Sequence, residues 1–176
     1  MYWRNYIWVW LCGFVLFAFY FIFLHIRLIR HLKRWRTEET DNAVLSAFQN
    51  EKERLNITRP IALYKHKLIK TPITVGILNP AVLLPRRTYN SAIFPLILRH
   101  ELIHIKNRDV LRKYAFIVMR CLFWFNLFIH MSALQANKDF ELVCDTLTLQ
   151  GLDGDIKKNY ANLLIDSASE DVTPQS

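Results

Sequence analysis

The chain is poor in the residues that build extended or cross-linked proteins. It has four glycines and three cysteines in 176 residues, and it shows no internal repeat or low-complexity tract. Collagen-like and disulfide-scaffold architectures are thereby excluded, and a hydrophobic content of 52% excludes a disordered tail protein. Cys12, Cys121 and Cys144 have neither zinc-finger nor disulfide spacing, and they read as free thiols in a reducing compartment. Two further absences concern charge. No acidic residue occurs between Met1 and Arg36, and no charge of either sign between Tyr6 and Leu24. Six of the 23 Lys and Arg lie in that first segment, so the other 17 face 15 acidic side chains and the remainder is almost neutral. The net charge of +8 is a local property of the N-terminus, which argues against a nucleic-acid partner.

The uncharged stretch, YIWVWLCGFVLFAFYFIFL, is long enough as a helix to rise about 28 Å, close to the hydrocarbon thickness of a bilayer. Trp3, Tyr6, Trp8 and Trp10 gather at one end and Trp35 lies beyond the other, where the membrane interfaces would be. A cleaved signal peptide fits poorly, because the run is too long and bulky Phe, Tyr and Leu follow it in place of a small-residue cleavage site. HIRLIRHLKRWR comes next, with five Arg or Lys against Arg4 and the amino terminus upstream. The positive-inside rule predicts a single-pass anchor with everything after it in the cytoplasm, and the basic cluster lies against anionic lipid.

Thr37 to Leu55 carries Val44, Leu45, Phe48 and Leu55 at helical spacing and opens with acidic residues that suit a helix start. IALYK, ITVGIL and AVLLP, separated by Pro72 and Asn79-Pro80, predict a sheet of about three strands. Pro95 opens a helix, PLILRHELIHIKN, with Leu98, Leu102 and Ile105 on one face and Asn107 as its stop. A second apolar run extends from Tyr114 to Leu134, followed by a polar helical segment through Leu149 and a short amphipathic helix, KKNYANLLIDSAS.

Within that third segment, HELIH at 100–104 is the most informative pentapeptide. At 100° per residue, His100 and His104 project about 40° apart, one turn above the other, so both imidazoles can meet one metal ion. Glu101 is offset around the same turn, within reach of a bound water but not of the ion, as a general base should be. Two histidines leave zinc short of a protein ligand, and the downstream acids are Asp109, Glu141 and Asp145. Asp109, five residues past His104, suits a cap of the next helix. Glu141 and Asp145 share a helix face at i, i+4, so one can ligate while the other accepts a hydrogen bond from a ligand imidazole. A ligand from this segment forbids the second apolar run from crossing the membrane, since a crossing would carry Glu141 to the wrong side. Arg120, Asn126 and His130 within the run are also expensive in lipid. The run is therefore expected to be a hairpin, breaking near Asn126.

HELIHIKNRD, an apolar segment with WFN, ELVCD, KKNYANLLI downstream and ITVGILNPAVLLP upstream together resemble the BlaR/MecR-type antirepressors, the membrane zinc metallopeptidases of bacterial beta-lactam sensors. The resemblance covers about residues 8 to 168. HExxH with a downstream acidic ligand is also similar to the HtpX and CAAX-protease types. The antirepressor resemblance implies His100, His104 and Glu141 as zinc ligands, Glu101 as catalytic base and a bacterial cell-membrane location. Leu127 stands where family members usually have a proline after WFN. No counterpart of the family's extracellular penicillin-binding domain is visible.

The expected architecture is α+β. An anchor and basic juxtamembrane segment (1–36) precede a zincin-like metallopeptidase domain of a short sheet and mostly helices (37–168), and a frayed tail follows (169–176). The expected function is a zinc-dependent endopeptidase acting on a cytoplasmic protein substrate, such as a transcriptional repressor or the protein itself. The alternative is a non-catalytic membrane-bound regulatory module. For the oxyanion donor the candidates are His130 and Tyr160, with Asp145 placed behind a ligand histidine.

Overall fold

A computed structural model describes residues 3–86, 93–154, 156–158 and 160–161. The expected tail at 169–176 and the second half of the C-terminal amphipathic helix lie outside the described residues. The architecture is α+β, with a zincin-like domain following a long apolar helix. That helix, α1 (Trp3–Arg34), is the one helix among the described residues long and apolar enough to cross a membrane. The domain then comprises β1 (Arg36–Glu38), α2 (Asn42–Arg54), β2 (Ala62–His66), β3 (Ile73–Val75), β4 (Ala81–Pro85), α3 (Phe94–Lys106), α4 (Asp109–Leu122) and α5 (Leu127–Leu149).

The sheet has four strands in the order β1-β2-β4-β3, where about three were expected. The extra strand, β1, is the fully exposed triplet RTE, paired antiparallel to β2 from Arg36 opposite His66 to Glu38 opposite Tyr64. An exposed polar triplet has no apolar alternation by which a strand is read; it is held by backbone pairing, Arg36 over the Tyr64 ring and a Lys65–Glu39 ion pair just beyond its end. The following helix accordingly begins at Asn42 and not at Thr37, with Asp41 as N-cap accepting from the Ala43 N–H.

β4 is central and buried along its whole length, parallel to β2 and antiparallel to β3. Val82 and Leu84 on one face meet Leu63 of β2, Phe48 of α2 and the apolar stripe Phe94, Leu98, Leu102 and Ile105 of α3. The face expected from the i, i+4, i+7 spacing is thus the one that forms the core. A buried ion pair, Arg99 Nε to Glu51 Oε2 at 2.8 Å, joins α3 to α2, and Arg99 also donates to the Thr148 carbonyl of α5. This network clamps α3 between α2 and α5.

The second apolar run folds as the expected hairpin. α4 stops at Leu122, the Asn126 side chain caps α5 by accepting from Phe128 N–H, and α5 returns. The hairpin does not lie flat on the domain; it stands alongside α1. Tyr114 hydrogen-bonds His25 at 2.8 Å, Arg120 lies over the Phe21 ring, Trp10 Nε1 donates to the Leu122 carbonyl, and Trp124 Nε1 donates back to the Trp10 carbonyl. From His25 to Trp10 the contact follows about 22 Å of α1. Arg120 and His130, costly in an apolar setting, satisfy each other: Arg120 Nε donates to His130 Nδ1, and His130 Nε2 donates to the Trp124 carbonyl. Phe125, Leu127, Phe128 and Met131 around the tip are exposed, an apolar collar matching that of α1.

The close approach of the two depends on Gly13, since a Cβ there would collide with the Trp124 indole. Gly13→Leu is expected to displace the hairpin and destabilise the fold by about 1–3 kcal/mol, the usual cost of overpacking. Gly154→Ala, which meets nothing within 4 Å, should be neutral. Thermal unfolding of both variants in detergent checks the contrast.

Candidate metal centre

α3 presents His100 and His104 one turn apart, and α5 crosses it with Glu141 facing them. His100 Nε2 lies 3.1 Å from His104 Nε2, and Glu141 Oε2 lies 3.6 Å from the first and 3.4 Å from the second. A tetrahedral ion with ligand bonds of 2.0–2.1 Å separates its ligand atoms by about 3.3 Å, so the triangle has dimensions compatible with a metal donor set. The hydrogen bonds behind it fix the chemistry. His104 Nδ1 is 2.8 Å from Asp109 Oδ2 and His100 Nδ1 is 3.1 Å from Asp145 Oδ1. When the imidazoles are neutral and each Nδ1–H donates to its carboxylate, each Nε2 turns a lone pair inward. In that state three acceptors meet at one point, an arrangement compatible with a cation.

The electrostatics agree. Burial lowers the pKa of His100, but hydrogen bonds to Asp145 and Glu141 outweigh it and raise the imidazole to about 9. His104 is likewise opposed by burial and raised by Glu141 and Asp109. Hydrogen bonds from both imidazoles hold Glu141 well below the usual carboxylate range. The other oxygen of Glu141, Oε1, faces Lys113 Nζ at 3.5 Å, leaving Oε2 for the site.

Glu101 is buried, on the wall of the same cavity of about 380 Å³. Its Oε2 accepts a 2.7 Å hydrogen bond from Thr74 Oγ1 of β3, which fixes the carboxylate beside the histidines. Tyr160 also lines the cavity, its hydroxyl donating to Asp145 Oδ1 at 3.1 Å. His130 is elsewhere, in the hairpin. The structure therefore brings together His100, Glu101, His104, Glu141, Asp145 and Tyr160.

Asp109 was expected to cap α4, and this is corrected. Arg108, in left-handed conformation at φ 57° and ψ 37°, occupies the cap position, and Asp109 is turned inward, almost fully buried, between His104 and Arg112. Its role comes from the abrupt turn between α3 and α4, which no spacing rule reveals. Thr74 is a second residue that sequence reasoning missed, since it meets Glu101 across 27 residues. Cys144 is a third: its thiol is buried 3.1 Å from His104 Nδ1, and its pKa is pushed up by burial and by the neighbouring Asp109 charge.

The BlaR1 peptidase M56 family matches residues 2–175. The chain belongs to this family. Regulatory protein BlaR1 of Bacillus licheniformis is 26% identical over 159 residues, covering 89% of this chain and 26% of its own. The methicillin resistance mecR1 protein of Staphylococcus aureus strain Mu50 is 26% identical over 153 residues, 81% of this chain and 24% of its own. BlaR1 of Staphylococcus aureus is 25% identical over 164 residues, 92% of this chain and 27% of its own. The chain thus spans about a quarter of the length of the curated relatives it matches. Membership in the M56 family makes this a metallopeptidase-type domain of a regulatory, membrane-associated lineage, in keeping with α1 and with a donor set compatible with a metal.

Two outcomes are expected. Asp109→Asn, which weakens the hold on His104, should lower zinc affinity about 10–100-fold, measured by competition with a chelator. Zinc uptake should also release protons at pH 7, because His100 with its pKa of about 9 is protonated in the metal-free site and must be neutral to ligate. Affinity should accordingly rise as pH increases towards 9; calorimetry in buffers of different ionisation enthalpy checks the proton count.

Proposed function

We propose that this chain is a membrane-anchored, zinc-dependent endopeptidase that hydrolyses peptide bonds of a protein substrate on the cytoplasmic side of a bacterial membrane. The observation that carries the reading is the triangle of His100 Nε2, His104 Nε2 and Glu141 Oε2, with the Glu101 carboxylate fixed beside it. His100, His104 and Glu141 would hold the zinc, which when bound supplies a Lewis acid and lowers the pKa of water.

The remaining work falls to the protein. Glu101 takes the proton of the attacking water and later hands it to the leaving amine. Thr74 aims the accepting carboxylate. Asp145 and Asp109 hold the imidazoles in the ligating tautomer. β3, which among the described residues pairs only with β4, offers its other edge to an extended substrate, so the peptide is held by main-chain hydrogen bonds beside the site. In this reading α1 crosses the bilayer and the hairpin is immersed with it. The basic cluster after α1 sets the cytoplasmic orientation. Relatives that bear the names of regulatory and resistance proteins favour a regulatory substrate, either a transcriptional repressor or the chain itself.

Glu101→Gln is expected to reduce peptide cleavage by the zinc-loaded protein about 10²–10⁴-fold while leaving stoichiometric zinc in place. Cleavage assay and metal analysis on the same preparation decide it: undiminished cleavage rejects Glu101 as the base, and a protein that takes up no zinc is a binding module.

A further inference from the structure

On the far side of Thr74 a second cavity, of about 350 Å³, adjoins the catalytic one, and the two share Thr74, His104 and Val110 as walls. The catalytic cavity is bordered by Thr71, Pro72 and Ile73, and the second by Gly76, Ile77 and Leu78. β3 therefore runs from one cavity into the other, about 10 Å over its three residues. The turn that ends it depends on Gly76, at φ 86°, where a Cβ would strike the Asn79 carbonyl.

The chemistry of the second cavity is unlike that of the first. Its wall carries two guanidinium groups, Arg59 and Arg108, and no acidic side chain among the described residues. Half-buried Arg59 donates from Nη2 to the Ile105 carbonyl at 2.9 Å, a neutral acceptor, and no acidic group among the described residues pairs with its charge. Burial and the Arg108 charge together lower the pKa of Arg59, as expected for two cations placed side by side without an anion. Arg108 reaches the rim from a left-handed conformation that is costly for a residue with a Cβ. Ile77, Leu78 and Leu111 add exposed apolar side chains to the same lining. Two guanidinium groups in a cavity with apolar lining suit a carboxylate, which accepts from both.

We propose that this cavity is a substrate subsite in which Arg59 and Arg108 bind a carboxylate of the peptide being cut, while the peptide backbone lies along β3. The proposal rests on the peptidase reading above. The carboxylate has two sources, an Asp or Glu side chain or the C-terminus of the substrate. A substrate antiparallel to β3 places the subsite on the N-terminal side of the cut bond, where only a side chain can supply it. A parallel one places it on the C-terminal side, where a chain end also fits.

The test uses the full chain in lipid nanodiscs, carrying Glu101→Gln so that binding is read apart from turnover. Fluorescent peptides are compared in matched sets, with Asp or Glu against Asn or Gln at each position, and with a free against an amidated C-terminus. An acidic peptide is expected to bind about tenfold more tightly than its neutral match. Only the side-chain set shows this if the source is internal, and only the C-terminal set if it is a chain end. Arg108→Asn, which tolerates the left-handed backbone, and Arg59→Gln should each bring the ratio close to one. Arg108→Glu should reverse it in favour of a lysine peptide. A ratio near one in the parent, or one that survives both substitutions, overturns the subsite. So does a ratio indifferent to Arg108→Asn while binding to phosphatidylglycerol vesicles falls, which assigns the pair to lipid phosphate. Failure of the peptidase reading looks different: the chain with Glu101 intact cuts no peptide, although the binding ratio is present.

Discussion

Two imidazole nitrogens and a carboxylate oxygen lie within 3.6 Å of one another, and the rest of the structure follows from the need to hold them there. A helix supplies two of the three at the cost of one turn. The third must come from a distant part of the chain and arrive beside the first two. That requirement turns α4 and α5 into a hairpin that goes out along α1 and comes back. The same requirement explains the supporting acids. Asp109 and Asp145 stand behind the imidazoles, and Arg99, bonded to Glu51 and the Thr148 carbonyl, ties α2, α3 and α5 into one body.

What was legible in the sequence is what helical geometry fixes locally. His100, Glu101 and His104 are set relative to one another by 100° per residue, and the Leu98, Leu102 and Ile105 stripe sets that helix against the sheet. The hairpin was legible for a different reason. A polar trio in an apolar run, together with a ligand needed beyond it, left no other path, and Asn126 marks the turn by capping α5. Glu141 was reached through the resemblance, because its spacing to Asp145 alone is symmetric between ligand and supporting acid.

The parts that escaped are long-range or depend on backbone already folded. β1 has no side-chain signal, and Thr74 meets Glu101 only once β3 is at the sheet edge. Asp109 stood at a position where the local rule predicts a cap. The left-handed turn at Arg108 hands it instead to His104, so tertiary structure overrides a preference worth about 1 kcal/mol.

One helix, α5, contains both the apolar start that packs with the hairpin tip and, about 22 Å further on, the carboxylate that completes the donor triangle. No break in the ladder separates the two, and Thr148 bonds back to Cys144 below the site. Held at Thr148 by Arg99, such a rod has the geometry of a lever. A tilt of a few degrees about that point would move Glu141 Oε2 by a sizeable fraction of an ångström, so the geometry ties the spacing of the donors to the packing of two apolar helices.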